Sequence, residues 1–342
     1  MLSFTLLLSI FIWNGRVVVS YRIGNFSQVN DNRSGGYPKF PQSFLANNNG
    51  DNKLFQSFYS SQKYNNFHTN ANTCGTRTVQ FNPKRSAKII GGSDVPYGSF
   101  PWQVEIQIFQ YEKGIFEHHC GAAVIGERIV MTAAHCTELS QQPYLHLVIG
   151  NHDLKKFDMY ERRFRIETIV MHPEFRRKGP YSNDISIIKV ASNNDAGISF
   201  NSHVKPICLP KQNDVNLRPG NWCSVSGWGA QIPEDHKSLA PVLRAAAVPL
   251  LDLETCRMSD VNGGRSQTIL DTMICAGLLQ GGVDACNGDS GGPLACEYNN
   301  KYYLTGIVSW GSGCAKKNKP GVYTRVSAYV NWIEETMNQL NA

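Results

Sequence analysis

The sequence predicts an all-β domain that closes with an α-helix and follows an N-terminal segment of different character. Past Lys88, apolar or alternating runs such as QVEIQIF, LHLVIG and YLTGIVSW are separated by clusters of Gly, Pro and Asn-Asp. This texture is typical of many short antiparallel strands. Near the C-terminus the apolar residues instead recur at intervals of three and four, which predicts a helix. Its main apolar positions are Tyr329, Val330, Ile333 and Met337.

The segment from Tyr21 to about Thr73 is rich in Asn, Ser, Phe and Tyr, and it contains no cysteine. Neither a helical nor a strand period is visible in it, so we expect it to have no fixed fold. Two sequons, Asn25 in NFS and Asn32 in NRS, predict glycosylation if the chain is secreted.

The first residues predict secretion. The apolar run from Leu2 to Trp13 is too short to span a bilayer, and Val18-Val19-Ser20 resembles a signal-peptidase site. A membrane signal anchor is the alternative, and no other membrane span is expected. The predicted organisation is a signal peptide over 1–20, a low-complexity prosegment over 21–88 and the β domain over 89–342.

Composition narrows the function classes. The chain has 342 residues, 42% of them hydrophobic, and a net charge of +6 without a basic cluster interleaved with aromatics, which disfavours nucleic-acid binding. Its ten cysteines have irregular spacings and no CxxC pair, so a zinc site is disfavoured. Five disulfides formed in an oxidising compartment are expected, although spacing alone leaves their connectivity open.

Three short stretches carry the chemistry: TAAHC contains His135, SNDISIIKV contains Asp184, and GDSGGP contains Ser290. A serine hydroxyl is a poor nucleophile unless an imidazole takes its proton, and that imidazole needs a carboxylate to hold its tautomer. Glycines around the serine let backbone N–H groups face a developing oxyanion. Each stretch alone also fits a structural role, as a core histidine, a strand-end acid or a tight loop.

Together these stretches identify a family. From about Ile89 to Leu340 the chain resembles the chymotrypsin/trypsin-like serine proteases, whose triad follows the order His, Asp, Ser. The shared motifs are IIGG, PWQV, TAAHC, ISIIKV, SGWG, GDSGGPL, SWGSGC and PGVYTRV. The resemblance implies two six-stranded antiparallel Greek-key β-barrels with the triad at their junction, a C-terminal helix and no cofactor. It also implies that the N–H groups of Gly288 and Ser290 form the oxyanion hole.

The resemblance further implies a disulfide pairing that leaves no free thiol. The expected pairs are Cys74 with Cys208, Cys120 with Cys136, Cys223 with Cys296, Cys256 with Cys275, and Cys286 with Cys314.

In this family, cleavage before an IIGG sequence creates an ammonium group that pairs with the aspartate preceding the catalytic serine. Here the cut would follow Lys88, and Ile89 would meet Asp289. Before cleavage the buried carboxylate of Asp289 lacks its cation, so no ion pair stabilises the active conformation of the oxyanion loop. The chain is therefore expected to be a zymogen.

The resemblance places Asp284 at the base of the primary specificity pocket, where it would select Arg or Lys, with Gly311 and Gly321 as open walls. A solvated loop acid is the alternative role for Asp284. Ala285 stands where related enzymes that accept lysine well often carry a serine. We therefore expect arginine to be preferred over lysine as the substrate residue before the cleaved bond. Ser309 and Trp310 complete the expected substrate-binding set, and Tyr181 is expected to narrow the adjacent subsite.

Two departures from the digestive trypsins concern surface loops. The segments between Gln103 and Cys120 and between Cys136 and Gly150 are longer, and they are expected to flank the cleft. Asn151 stands where the calcium-binding loop of a typical trypsin has a glutamate. No metal site is predicted, and calcium held by Asp153, Asp158 and Glu161 is the alternative.

The leading interpretation is a secreted trypsin-like endopeptidase zymogen of a regulatory type, because the prosegment is long and carries Cys74. A digestive trypsin is the alternative within the enzyme class, and a protease homologue that only binds partners is the alternative outside it. Expected partners are protein substrates cleaved after Arg or Lys, an upstream activating protease and a protein inhibitor. No nucleic-acid partner is expected.

Overall fold

The computed structural model describes residues 9–13, 16–20, 74–85, 92–138, 144–192, 196–214, 218–232, 235, 237–263 and 268–341. The two glycosylation sequons and the activation residues Lys88 and Ile89 lie outside them. The chain divides into two units, 1–65 and 66–342. In the first, β1 (Ser9–Trp13) and β2 (Arg16–Ser20) pair as an antiparallel hairpin. The remaining described elements lie in the second.

Six antiparallel strands close into a first barrel. In chain order they are β4 (Gln103–Gln110), β5 (Ile115–Val124), β6 (Ile129–Thr132), β7 (Leu145–Ile149), β8 (Arg162–Met171) and β9 (Ser186–Val190). Their order around the barrel is β4-β5-β6-β9-β8-β7, and β7 pairs back onto β4. Closure leaves no free edge and turns one face of each strand inward, where Ile106, Met131 and Leu147 are fully buried.

Six further strands close into a second barrel. They are β10 (Trp222–Gly227), β11 (Arg244–Leu251), β12 (Met273–Ala276), β13 (Pro293–Tyr298), β14 (Lys301–Trp310) and β15 (Gly321–Arg325). Pairing runs β10-β13-β14-β15-β12-β11 and closes from β11 to β10. The short strand β3 (Ser93–Asp94) adds to the outside of β11. The predicted pair of six-stranded antiparallel barrels is confirmed.

The two barrels share a hydrophobic core. One buried cluster runs from Trp102 and Ile106 in the first barrel to Leu304 and Ile307 on β14 of the second. At the crossing, a Cβ on Gly121 would lie 2.8 Å from the Cα of Gly292, so glycine is required there. The junction therefore brings β5 against the loop that precedes β13.

Two α-helices complete the domain. α1 (Leu253–Arg257) begins at Asp252, whose carboxylate accepts the N–H of Thr255 at 2.6 Å. α2 (Val330–Asn341) buries Ile333 and Met337 against the core, as the periodicity predicts. No helix within the described residues has the length and apolar character needed to cross a bilayer.

Five disulfides link the described chain. They join Cys74 to Cys208, Cys120 to Cys136, Cys223 to Cys296, Cys256 to Cys275 and Cys286 to Cys314, the pairs that the resemblance implies. The first one attaches the 74–85 segment to the barrels. Backbone hydrogen bonds reinforce it, from Gly75 to the carbonyl of Pro206 and from Tyr302 to the carbonyl of Gly75.

Candidate active site

His135 and Asp184 meet where two paired strands of the first barrel end. His135 lies in a 3-10 turn just after β6, and Asp184 lies just before β9, which pairs with β6. The ring Nδ1–H of His135 donates to Asp184 Oδ2 at 2.8 Å, and the backbone N–H of His135 donates to Oδ1 at 2.9 Å. Because both carboxylate oxygens hold the same residue, the ring orientation is fixed and Nε2 is left for a second partner.

The carboxylate of Asp184 is fully buried and receives a further hydrogen bond from β14. The hydroxyl of Ser309 donates to Asp184 Oδ2 at 2.5 Å, and Thr324 on β15 donates to the backbone carbonyl of Asp184 at 2.6 Å. Ser309 was predicted to bind substrate, and its hydrogen bond to Asp184 was not foreseen. Both hydroxyls come from the second barrel, so the Asp184 site depends on the barrel junction.

Ser290 lies in a tight loop before β13. The N–H of Gly291 donates to the carbonyl of Val308 at 2.8 Å, and the carbonyl of Ser290 accepts the N–H of Gly121 at 2.7 Å. Gly291 has φ +77, and a Cβ there would lie 2.1 Å from the hydroxyl of Thr132, so the loop requires glycine.

Ser290 and His135 line one cleft of about 370 Å³. Within the described chain, His135 Nε2 contacts the sulfur of Cys136 at 3.7 Å, and no hydrogen bond joins it to Ser290. Catalytic hydrogen bonds are often long in unliganded enzymes and shorten when substrate binds.

Two backbone N–H groups beside Ser290 are free to bind an anion. The N–H groups of Gly288 and Ser290 donate to no acceptor among the described residues. The peptide between them is anchored, because the N–H of Asp289 donates to the carbonyl of Cys286 at 2.9 Å. The arrangement can therefore stabilise negative charge on an oxygen in the cleft.

The cleft ends at a buried carboxylate. Asp284 is 5% exposed, and it accepts the N–H groups of Ala285 at 2.9 Å and Ala315 at 3.3 Å. Burial raises the pKa of Asp284 to about 8, despite these two N–H donors. A Cβ on Gly321 would lie 2.8 Å from Asp284 Oδ1, so the absence of a side chain there keeps the carboxylate open to the cleft. A cationic group entering this pocket would favour the ionised carboxylate.

The other predicted binding residues line the same cleft. Ala285, Ser309, Trp310 and Gly311 do so together with Tyr181. The Tyr181 ring lies edge-on to His135 at 5.9 Å between centroids and stacks with Trp310 at 6.1 Å. It therefore borders the space beside the imidazole.

Asp289, the residue before Ser290, is fully buried. Its carboxylate accepts the N–H of Gly229 at 2.8 Å and the N–H of Cys286 at 2.9 Å, and burial raises its pKa. A small cavity of about 20 Å³ lies beside it and is also lined by Arg244, whose guanidinium donates to the carbonyl of Gly92. Gly92 therefore lies near the cavity beside the buried carboxylate of Asp289.

Sequence analysis did not identify a second buried pair, Glu105 and His118. Their side chains are 1% and 3% exposed, and Glu105 Oε1 lies 3.3 Å from His118 Nδ1. The other ring nitrogen of His118 lies 2.8 Å from the carbonyl oxygen of Gly288. The adjacent histidines of EHHC were a visible signal for His118. Glu105 stands between Val104 and Ile106, where strand alternation predicts a solvent-facing side chain.

The loop that follows β7 is held largely by its own carboxylates. Asp158 accepts the N–H groups of His152 at 2.7 Å and Asp153 at 3.0 Å, and Glu161 accepts the N–H of Asp158 at 3.3 Å. Asn151 connects the loop to β4, because its side-chain amide donates to Glu105 Oε2 at 2.7 Å.

Comparisons with known proteins agree with this geometry. Residues 89–333 match the family model described as Trypsin. The urokinase-type plasminogen activator of Gallus gallus is 38% identical over 272 residues, which is 78% of this chain and 60% of that protein. The chain therefore spans about three fifths of the length of that relative.

Proposed function

The chain belongs to the trypsin family of serine endopeptidases, and we propose that it is a secreted zymogen whose active form cleaves proteins after arginine and less efficiently after lysine. The observation that carries this proposal is the cleft lined by His135, Ser290 and the buried carboxylate of Asp284, with Asp184 hydrogen-bonded to His135 behind it.

In the proposed mechanism, Ser290 Oγ attacks the carbonyl carbon of the scissile bond while His135 Nε2 accepts its proton. Asp184 holds the ring and stabilises the imidazolium that forms. The N–H groups of Gly288 and Ser290 bind the oxyanion of the tetrahedral intermediate. His135 then protonates the leaving amine, which leaves an acyl-enzyme, and water hydrolyses this ester through the same groups.

The specificity follows from the floor of the pocket. A guanidinium reaches Asp284 with two parallel hydrogen bonds, whereas the shorter lysine ammonium needs additional acceptors. Ala285 offers no hydroxyl for that purpose. Arginine is therefore the preferred residue before the scissile bond.

Activation is proposed to follow cleavage after Lys88. Gly92 contacts Arg244 at the edge of the cavity beside Asp289, and Ile89 stands three residues earlier. Three extended residues span about 10 Å, which is consistent with the new ammonium reaching Asp289. Its charge would offset the cost of ionising this buried carboxylate.

Limited proteolysis in a cascade is the proposed setting. The name of the relative describes a plasminogen activator, and the disulfide from Cys74 supports a segment that stays attached after activation. Signal-peptide cleavage over 1–20, glycosylation at Asn25 and Asn32, an upstream activating protease and a protein inhibitor belong to the same proposal. The proposed domain organisation is the one expected from the sequence, with a signal peptide over 1–20, a prosegment over 21–88 and the protease domain over 89–342.

The test is a set of matched peptides that differ only in the residue before the scissile bond. After cleavage at Lys88, kcat/KM should be highest for arginine and about tenfold lower for lysine, with leucine barely hydrolysed. The Asp284→Ser variant should lose the preference for arginine while still reacting with an acylating agent. Equal hydrolysis of the leucine and arginine peptides would contradict the proposal.

A further inference from the structure

Glu105 is a buried carboxylate that the proposed chemistry does not use. It lies on β4, and its two oxygens have different partners. Oε2 accepts the side-chain amides of Asn151 at 2.7 Å and Gln107 at 3.0 Å, while Oε1 faces His118 Nδ1 at 3.3 Å. A buried carboxylate is costly unless it is paired, so the partner of Oε1 should carry a positive charge.

The surroundings of His118 define where its protons lie. Its ring nitrogens face a carboxylate and the carbonyl of Gly288, and both of these groups are acceptors. Both contacts are hydrogen bonds if His118 is protonated, so that each ring nitrogen carries a hydrogen. They are also hydrogen bonds if His118 is neutral and Glu105 is protonated instead. If His118 were neutral and Glu105 ionised, one ring nitrogen would carry no hydrogen, and its lone pair would face the lone pair of an oxygen.

The carbonyl that His118 holds belongs to a particular peptide. The peptide joining Gly288 to Asp289 lies between the two N–H groups assigned to the oxyanion hole. Its N–H donates to the carbonyl of Cys286 at 2.9 Å. Gly288 has φ +98 and no Cβ, so its own backbone restricts the peptide little, and the hydrogen bond from the buried His118 ring adds a second restraint at the carbonyl oxygen.

We propose that Glu105 and His118 are positioning residues that hold the oxyanion hole, with Glu105 keeping His118 protonated so that its Nε2–H fixes the Gly288 carbonyl. This inference rests on the proposed function, because it assigns these residues to the same site. It also connects the loop after β7 to the active site through Asn151.

The groups around His118 define the expected pH dependence. Among the described residues, Glu105 faces the ring from β4 and Asp289 from the loop before β13, while Trp228 presents an uncharged ring at 5.8 Å. Burial alone lowers the pKa of His118, but the hydrogen bond and charge of Glu105, together with Gly288 and Asp289, raise it above its ordinary value. The restraint is therefore present at low pH and is lost as pH rises through this raised pKa.

The His118→Phe variant removes the Nε2–H donor and keeps a flat ring in the same space. The matched control is His146→Phe, because His146 lies on β7, where its ring stacks on Phe116 at 4.1 Å between centroids, and it does not line the cleft.

The experiment compares activated wild type and both variants on an arginine peptide across pH. We expect kcat of His118→Phe to fall about tenfold at pH values where wild-type His118 is protonated, with KM within twofold, because removing a direct oxyanion donor costs about a hundredfold or more. The difference should narrow as pH rises through the raised pKa of His118, since the wild type then loses the same restraint. An argininal peptide aldehyde, which forms an oxyanion, should lose affinity by a similar factor. Benzamidine, which fills only the pocket, should bind as in wild type.

Three results would overturn the inference: unchanged kcat and aldehyde affinity in His118→Phe, equal losses for benzamidine and aldehyde, or the same effect in His146→Phe. 15N NMR of the wild-type histidine rings tests the role of Glu105, and it also decides if His118→Phe does not fold. Two protonated nitrogens on His118 above the ordinary histidine pKa support the inference, and one protonated nitrogen contradicts it. If wild type hydrolyses the arginine peptide, the proposed function stands in every case.

Discussion

Ala285 lies beside Asp284 in the cleft, and its methyl group supplies no hydroxyl at that position. Introducing one with Ala285→Ser should raise kcat/KM for lysine peptides up to about tenfold, because a hydrogen bond to a charged group contributes about 1.5–3 kcal/mol before competition from water. Arginine peptides should change little, since we propose that the guanidinium pairs with Asp284 directly. Matched Arg and Lys peptides measure the ratio, and an unchanged ratio would show that Ala285 does not set it.

A second prediction at the scale of single residues concerns Tyr181. Its ring contacts those of His135 and Trp310, so we expect it to limit the size of the side chain that precedes the arginine of a bound substrate. Wild type should favour small residues at that subsite, and Tyr181→Gly should accept large ones with a gain of several fold. A positional peptide library measures both. Equal turnover of large and small residues by wild type would remove this role for Tyr181.

Local motifs allowed many site residues to be predicted from sequence. His135 precedes a cysteine, Ser290 stands among glycines that its loop requires, and Asp184 begins an apolar strand. Glu105 could not be predicted in this way, because strand alternation assigns it to solvent. Only closure of the barrel and its packing against the second barrel bury it beside His118.

At the scale of elements, the 74–85 segment is bound to the barrels by more than its disulfide. The guanidinium of Arg77 lies 4.1 Å from the centre of the Tyr302 ring and donates to the carbonyl of Phe81 at 2.6 Å. The sequence predicts that this stretch belongs to a low-complexity prosegment tethered through Cys74. Arg77 gave no pattern that could reveal its partner, because Tyr302 is distant in sequence.

This attachment predicts a two-chain active form. Cleavage after Lys88 should leave the prosegment joined through Cys74 and Cys208, so a denaturing gel should show one band before reduction and two after it. A Cys74→Ser/Cys208→Ser double variant, cleaved at the same bond, should give two bands without reductant. Release of the prosegment from wild type without reductant would contradict the prediction.

The strands and the final helix were predictable because their apolar periods are local. Closure of each barrel was not, because β4 meets β7 and β10 meets β11 only in the folded chain. Resemblance to the family supplied the barrel architecture that periodicity could not.

At the scale of the whole molecule, the proposed specificity and the proposed activation bond differ. We propose that the cleft favours arginine, whereas the expected activation bond follows Lys88. Self-activation should therefore be slow, and a second protease that accepts lysine is the expected trigger. The Ser290→Ala zymogen mixed with active enzyme measures this rate, and Lys88→Arg in the same zymogen should be cut about tenfold faster. Rapid cutting of the Lys88 form would show that the enzyme can activate itself.

The most direct measurement is the reaction of Ser290 with a fluorophosphonate before and after cleavage at Lys88. A nucleophilic serine beside a working oxyanion hole reacts with this probe, and a binding-only homologue does not. We predict strong labelling after cleavage, weak labelling of the intact chain and none of Ser290→Ala. Absence of labelling after cleavage would contradict a serine endopeptidase, and equal labelling of the intact and cleaved chains would contradict the zymogen.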